Sequence, residues 1–133
     1  MSDLHSEEVA REIVDSALSV HRELGPGLLE NAYEVCLGHE LKSRGLRVEH
    51  QIAQPIRYNS IELDAGYRLD LVVEDTVIIE LKAVESILPV HQAQLLTYLK
   101  LSGKTLGFLI NFNVALIKSG IKRVVLNHPE TKK

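Results

Sequence analysis

The sequence predicts an α/β domain with a mixed central sheet flanked by helices, and three observations predict it. Val9, Ile13, Ala17, Val20 and Leu24 recur every three to four residues, the period of one helix face. Two apolar, β-branched stretches, Tyr67–Val73 and Val77–Ala83, follow one another as the strands of a hairpin do. A helical stretch opening at Pro89 separates Val77–Ala83 from a third apolar run, Leu106–Phe112. A helix between two strands is a crossover, so these two should lie parallel, with a right-handed connection.

Each element has a local reason. Ser6 is the expected N-cap of the first helix, with Glu7 and Glu8 in its first turn, where carboxylates suit the helix dipole. Gly25-Pro26-Gly27 breaks that helix. A second runs from about Leu28 to Arg44, with Tyr33, Leu37 and Leu41 as its apolar stripe, and stops at Gly45. Leu46–Tyr58 reads as a strand interrupted at Pro55, and Asn59-Ser60 as a turn. The helix from Pro89 ends at Ser102-Gly103. Leu106–Phe112 is almost wholly apolar, as a strand buried on both faces is. Asn113–Gly120 is a connection, and Ile121–Leu126 is the final strand.

Composition sets limits. A chain of 133 residues fits one domain, with a core over about 8–126 and a polar tail over 127–133. No apolar run approaches the ~20 residues that span a bilayer. Met1–Glu8 is acidic and polar, unlike a signal peptide. Cys36 is the one cysteine; it cannot form an internal disulfide and reads as a small buried hydrophobe. These features make a cytoplasmic location, away from membranes, the expectation. The net charge of -3 and pI of about 6.1 are not the overall profile of a nucleic-acid binder. Lys100, Lys104, Lys118, Lys122, Arg123, Lys132 and Lys133 read mostly as solvated faces and a tail, which counts against tight nonspecific binding by this domain alone.

The chemistry lies in the charges of the two short strands. A charge within an apolar strand costs free energy unless something pairs with it. Asp70, Glu80 and Lys82 are three such charges. The E-x-K pattern occurs three times, as Glu40-Leu41-Lys42, Glu80-Leu81-Lys82 and Glu130-Thr131-Lys132, but only the middle copy falls in a strand. There Glu80 and Lys82 share a face while Leu81 points away. Asp70 shares a face with Arg68 and Val72. Loop length decides whether Asp70 meets Glu80. A two-residue loop at Glu74-Asp75 would send them to opposite faces; a three-residue loop would pair Val73 with Val77 and set Asp70 directly across from Glu80. The odd-length loop is the expectation. Two carboxylates ~5 Å apart repel unless a cation lies between them, and Mg²⁺ or Mn²⁺, which prefer oxygen ligands, would suit. The plainer alternative is strand-end surface charge, with Lys82 neutralising Glu80.

Two helices add candidates. Glu30 lies at the start of the second helix, flanking its apolar stripe; it either serves the helix dipole or supplies a third acidic ligand. His91, Gln94, Leu95 and Tyr98 share one face of the later helix, which turns either toward a polar cleft or toward solvent.

These residues carry a resemblance. Gly27-Leu28-Leu29-Glu30-Asn31-Ala32-Tyr33 matches the name-giving motif of the GxxExxY proteins, a family that resembles a compact branch of the PD-(D/E)XK nuclease superfamily. Tyr67-Arg68-Leu69-Asp70-Leu71 resembles the strand that carries the superfamily's metal-binding aspartate, and Glu80-Leu81-Lys82 its (D/E)-x-K element. Gln94-Leu95-Leu96-Thr97-Tyr98 is similar to the Q-x-x-x-Y motif of its recombination-type nucleases. The likeness runs from about Glu8 to Leu126. Leu69 departs from it, standing where the superfamily name implies proline. The resemblance implies a restriction-endonuclease-like αβββαβ core with an extra N-terminal helix.

It also implies a metal-dependent nuclease acting on DNA, or less readily RNA. Glu30, Asp70, Glu80 and the Leu81 carbonyl would hold Mg²⁺ or Mn²⁺. Lys82 would orient or deprotonate a water or stabilise charge at the phosphate, and Gln94 would position a ligand. Arg68, His91 and Tyr98 would contact substrate. Two alternatives stand beside this: a catalytically weak or inactive binding or assembly module, and a catalytic subunit that needs a protein partner or a homo-oligomer to bind DNA.

Overall fold

The computed structural model of the protein describes residues 3–129; the E-x-K copy at 130–132, with Lys132 and Lys133, lies outside the described residues. The elements in chain order are α1 (Asp3–Leu24), α2 (Glu30–Ser43), β1 (Val48–Ala53), β2 (Ile56–Tyr58), β3 (Ile61–Leu63), β4 (Arg68–Val73), β5 (Val77–Lys82), α3 (Pro89–Ser102), β6 (Leu106–Asn111), a 3₁₀ turn (Ile117–Gly120) and β7 (Ile121–Val125). Five strands form one mixed sheet in the order β1-β4-β5-β6-β7. Only β5 and β6 run parallel, which is the arrangement the α3 crossover requires.

The sheet is covered on both faces. On one, Val9, Ile13 and Ala17 of α1 and Tyr33, Leu37 and Leu41 of α2 meet Leu71, Val73, Ile79, Leu81, Phe108 and Ile110. On the other, Leu95, Tyr98 and Leu99 of α3 meet Leu69, Val72, Ile78, Leu109 and Val124. Every residue of β6 is buried, as its unbroken apolar run requires. Among the described residues no helix is long and apolar enough to cross a membrane.

Two expectations need correction. Ser6 is not an N-cap: α1 begins by Asp3, and Ser6 is a buried residue inside it. A cap residue is a weak local signal, and a buried serine inside a helix shows it overridden by tertiary packing. Leu46–Tyr58 is not one strand. Pro55 has no N–H to give to a ladder, so β2 leaves the main sheet and pairs with β3 through the Asn59-Ser60 turn, where Asn59 takes a φ of 53°. The Gln54 N–H donates to the Tyr67 carbonyl at 2.9 Å and closes the base of this excursion. The short Ile61–Leu63 segment gave no strand signal of its own.

The last strand is an edge, and its exposed Lys122 and Arg123 are charges that discourage further pairing. Arg123 also ties the edge to α1, with Nη2 at 2.7 Å from Glu7 Oε2, and His128 Nε2 lies 3.0 Å from the same oxygen. The two partners hold the Glu7 carboxyl down at about 2. The 3₁₀ turn reaches β7 at Gly120, where an added Cβ would overlap the Asn111 backbone carbonyl oxygen. Gly120→Ala is expected to lower stability by about 1–3 kcal/mol, since backbone on both sides must move; urea unfolding beside the wild type measures it.

Candidate active site

Register builds the site. Val73 pairs with Val77, Val72 with Ile78 and Leu71 with Ile79. The turn is therefore the three residues Glu74-Asp75-Thr76, closed by the Thr76 N–H donating to the Val73 carbonyl at 3.0 Å. The odd length sets Asp70 across from Glu80, as the sequence predicts.

Backbone pairing ends short of Asp70 on the β5 side and skips Asp70 on the β1 side. The ladder between β4 and β5 ends at Leu71–Ile79. On the other flank, His50 pairs with Leu71 and Ile52 with Leu69, but no pair joins Gln51 to Asp70. Side chains fill the openings. Glu80 Oε2 accepts the Asp70 N–H at 3.0 Å, and Asp70 Oδ2 accepts the Leu81 N–H at 2.8 Å. Both strands change faces there. Val48, Leu71 and Val73 pack toward α1 and α2, whereas Ile52 and Leu69 pack toward α3. Regular alternation would put Leu69 with Leu71, so the expectation that Asp70 simply shares a face with Arg68 and Val72 fails at this twist.

The electrostatics follow from burial. Glu80 is 5% exposed. Desolvation, followed by the charge of Asp70, pushes its carboxyl up to about 8. Desolvation raises Asp70 as well, against the Leu81 N–H and the Gln51 amide. Lys82 is on the Glu80 face of β5, and its field favours ionisation of Glu80, Asp70 and Glu30. Among the described residues Lys82 is in no ion pair, so the simple neutralising Lys82–Glu80 contact is not formed. Nor, among the described residues, do three Asp, Glu, His or Cys side chains converge closely enough to hold an ion as they stand. Glu30, Asp70 and Glu80 share one field, but Asp70 and Glu80 are turned onto backbone N–H groups.

Tyr33 explains how Glu30 is placed. Gly25 and Gly27 take φ values of 69° and 105°, open to glycine and rarely to other residues. The buried Tyr33 ring stacks on Phe112, with centroids 4.5 Å apart and planes 8° apart. Its hydroxyl donates to the Gly25 carbonyl at 2.6 Å and accepts the Leu28 N–H at 3.1 Å. The glycine turn is thereby pinned to the core, and α2 starts at Glu30. Desolvation and the charge of Asp70 raise the Glu30 carboxyl.

The α3 candidates divide. Tyr98 is buried at the site, edge-on to Tyr67 with centroids 6.3 Å apart, and burial with the nearby Glu80 charge pushes its hydroxyl up to about 12. Gln94 is half-buried one turn earlier. His91 caps its own helix: its Nδ1 accepts the Leu88 N–H at 3.0 Å while its N–H donates to the Leu88 carbonyl. Arg68 is exposed, 3.6 Å from Asp64. Three residues here escaped the sequence reading. Tyr67 and Gln51 lie in segments read as strands, but nothing in their residue type or spacing marks them as site residues. Glu34 carried a usable signal, since it stands one helical turn beyond Glu30 on the same side.

Two outcomes follow. Because its folded-state value lies above the ordinary carboxylate value, Glu80 favours the folded state at low pH, and that contribution is lost as pH rises from about 4.5 to about 8. Glu80→Gln, which keeps an acceptor for the Asp70 N–H, should raise Tm relative to wild type at pH 8, with the gain shrinking toward pH 5; thermal melts across that range decide it. Tyr33→Phe should cost about 1–2 kcal/mol through the orphaned Leu28 N–H and Gly25 carbonyl, with its largest loss of amide-exchange protection at the start of α2.

A family model described as the PD-(D/E)XK nuclease superfamily matches residues 7–124. Comparisons with curated proteins and with solved structures return no match. The mixed five-stranded sheet between helices, with its added N-terminal helix, is the restriction-endonuclease-like arrangement, and nucleases of this kind generally use divalent metals such as Mg²⁺. The matched span takes in α2, β4, β5 and α3 and, with them, every candidate residue above, and the chain belongs to the PD-(D/E)XK nuclease superfamily.

Proposed function

We propose that the protein is a metal-dependent nuclease of the compact GxxExxY branch that hydrolyses phosphodiester bonds in DNA, with RNA the second choice. The observation that carries this reading is the opposition of Asp70 and Glu80 at the break in the sheet, with Lys82 on the Glu80 face.

The donors suit a hard cation. Asp70, Glu80, Glu30 and the Leu81 carbonyl offer oxygen only. The Leu81 N–H points into the opening between β4 and β5, and in a strand the carbonyl of the same residue points to the same side. Buried carboxylates whose pKa values are raised favour either a proton or a cation, so Mg²⁺ or Mn²⁺ would replace the proton held near neutral pH. When bound, such an ion polarises the phosphate and makes its water more acidic.

The chain's own residues do the rest. Lys82 places its amino group beside the carboxylates, where the ammonium orients the attacking water or stabilises charge developing on the phosphate, or the neutral amine takes up the proton that the water loses. Tyr98 stays a neutral O–H donor throughout the physiological range and can hold a phosphate oxygen. Gln94, on the same helix, positions a ligand. Arg68, only loosely engaged with Asp64 in solvent, is free to meet the substrate backbone. His91 can offer only Nε2, because Nδ1 is committed to its helix cap.

A second reading, a subunit or binding module that depends on a separate nucleic-acid-binding partner, is favoured by the net charge of -3. One assay separates the two. Plasmid and single-stranded DNA are incubated with the protein and Mg²⁺ or Mn²⁺, beside Asp70→Ala and Lys82→Ala. Cleavage by the wild type that falls about 100-fold or more in both variants is expected. Cleavage that survives both substitutions is a contaminant. An inactive wild type that still binds Mn²⁺ favours the partner-dependent reading.

A further inference from the structure

Gln51 is a non-glycine residue in the middle of β1 with a φ of 52°. The left-handed region is uncommon for such residues and costs of order 1 kcal/mol. The register places it directly opposite Asp70, at the position where pairing between β1 and β4 is missing. Here the β1–β4 ribbon changes faces, so the backbone has a structural reason for its conformation. The side chain has a separate one. Gln51 Nε2 donates to Glu34 Oε1 at 2.7 Å and reaches Asp70 Oδ1 at 3.3 Å. Glu34 is held in turn by His50, whose Nδ1 lies 3.2 Å from Glu34 Oε2. The His50 ring fits against α2 at Gly38, where any larger side chain would displace it.

We infer that Gln51 is a positioning residue of the Asp70–Glu80 site, its amide bridging Glu34 on α2 and Asp70 on β4 so that the Asp70 carboxylate is held in the opening of the sheet. The geometry explains why an amide stands there. Glu34 and Asp70 repel one another, and a donor between them relieves that repulsion without contributing a charge that would compete with a cation. A lysine would neutralise the pair; a carboxylate would worsen it. Among the described residues the Gln51 amide is the side-chain donor to Asp70 Oδ1, while Oδ2 is anchored by the Leu81 N–H. With both oxygens held, the carboxylate cannot rotate out of the opening. The metal-binding consequence rests on the nuclease reading; the positioning itself does not.

The left-handed backbone supplies a clean separation of roles. Glycine adopts this φ without strain, and asparagine tolerates it better than most residues. Gln51→Gly and Gln51→Asn therefore keep the change of faces, yet remove or shorten the amide arm. In metal-free protein, hydrogen exchange of the Leu81 amide reads how firmly Asp70 is held, with the β6 amides as an internal reference for global stability. Exchange at Leu81 should quicken by up to about tenfold in both variants, with β6 unchanged and the Tm of Gln51→Gly equal to or above wild type. Mn²⁺ affinity, followed by calorimetry, should fall about 10-fold or more. Unchanged Leu81 exchange in Gln51→Gly would overturn the inference, as would a loss of protection spread evenly over β6, which would make Gln51 merely structural. If wild-type protein binds no Mn²⁺, the nuclease reading fails, and the exchange experiment still decides the role of Gln51.

Discussion

The interruption of backbone pairing at Asp70 is the constraint on which the site depends. A central strand with neighbours on both sides should have every N–H and C=O engaged in the two ladders. At Asp70 neither ladder is continuous, and the openings are filled by the carboxylates of Asp70 and Glu80 and the amide of Gln51. Buried carboxylates are tolerable there because backbone N–H groups are aimed at them and because they can take up a proton or a cation. The sheet thus exchanges regular hydrogen bonds for a pair of buried acids between two helical layers. The remainder of the core is conventionally apolar, which gives that local departure a rigid frame.

That frame delivers residues from four separate segments. The β4–β5 turn fixes the opposition of the two acids. The parallel pairing of β5 with β6 keeps Glu80 and Lys82 on a strand buried on both sides. The Tyr33 hydroxyl pins the glycine turn before α2, whose exposed Glu30 acts on the two acids through its charge and whose Glu34 accepts from Gln51 beside the opening. From the other layer α3 brings Tyr98 to its side. The E-x-x-Y half of the helical motif therefore has two physical duties: its acid contributes to the field of the site, and its tyrosine sets where that acid stands.

Much of the fold was legible because its elements obey strong periodicities. The helices at Val9–Leu24 and Pro89–Ser102 and the apolar run of β6 each follow from local pattern, and each is found; the three-residue turn after Val73 was expected without a local pattern to fix its length, and it too is found. The excursion of β2 and β3 was not legible. Three-residue strands leave too little pattern to read, and Pro55 says only that a ladder ends there, not where the chain goes next. The start of α1 was misread for a related reason: a good cap residue at Ser6 is a weak signal, and the burial of Ser6 itself within the helix outweighs it.

For the site, the sequence alone determined the chemistry. Two acids and a lysine in apolar strands, an acid heading a helix and a Gln-Tyr pair on another all stand in the chain as types and spacings. The parity of a turn was enough to face Asp70 toward Glu80, because side chains alternate with period two. Only the tertiary structure decided how those groups are held. The switch of faces at residues 51 and 70, the turn of both carboxylates onto backbone N–H groups and the Glu34–Gln51–Asp70 bridge depend on strands distant in sequence. No local pattern encodes which of their atoms come to lie within 3 Å.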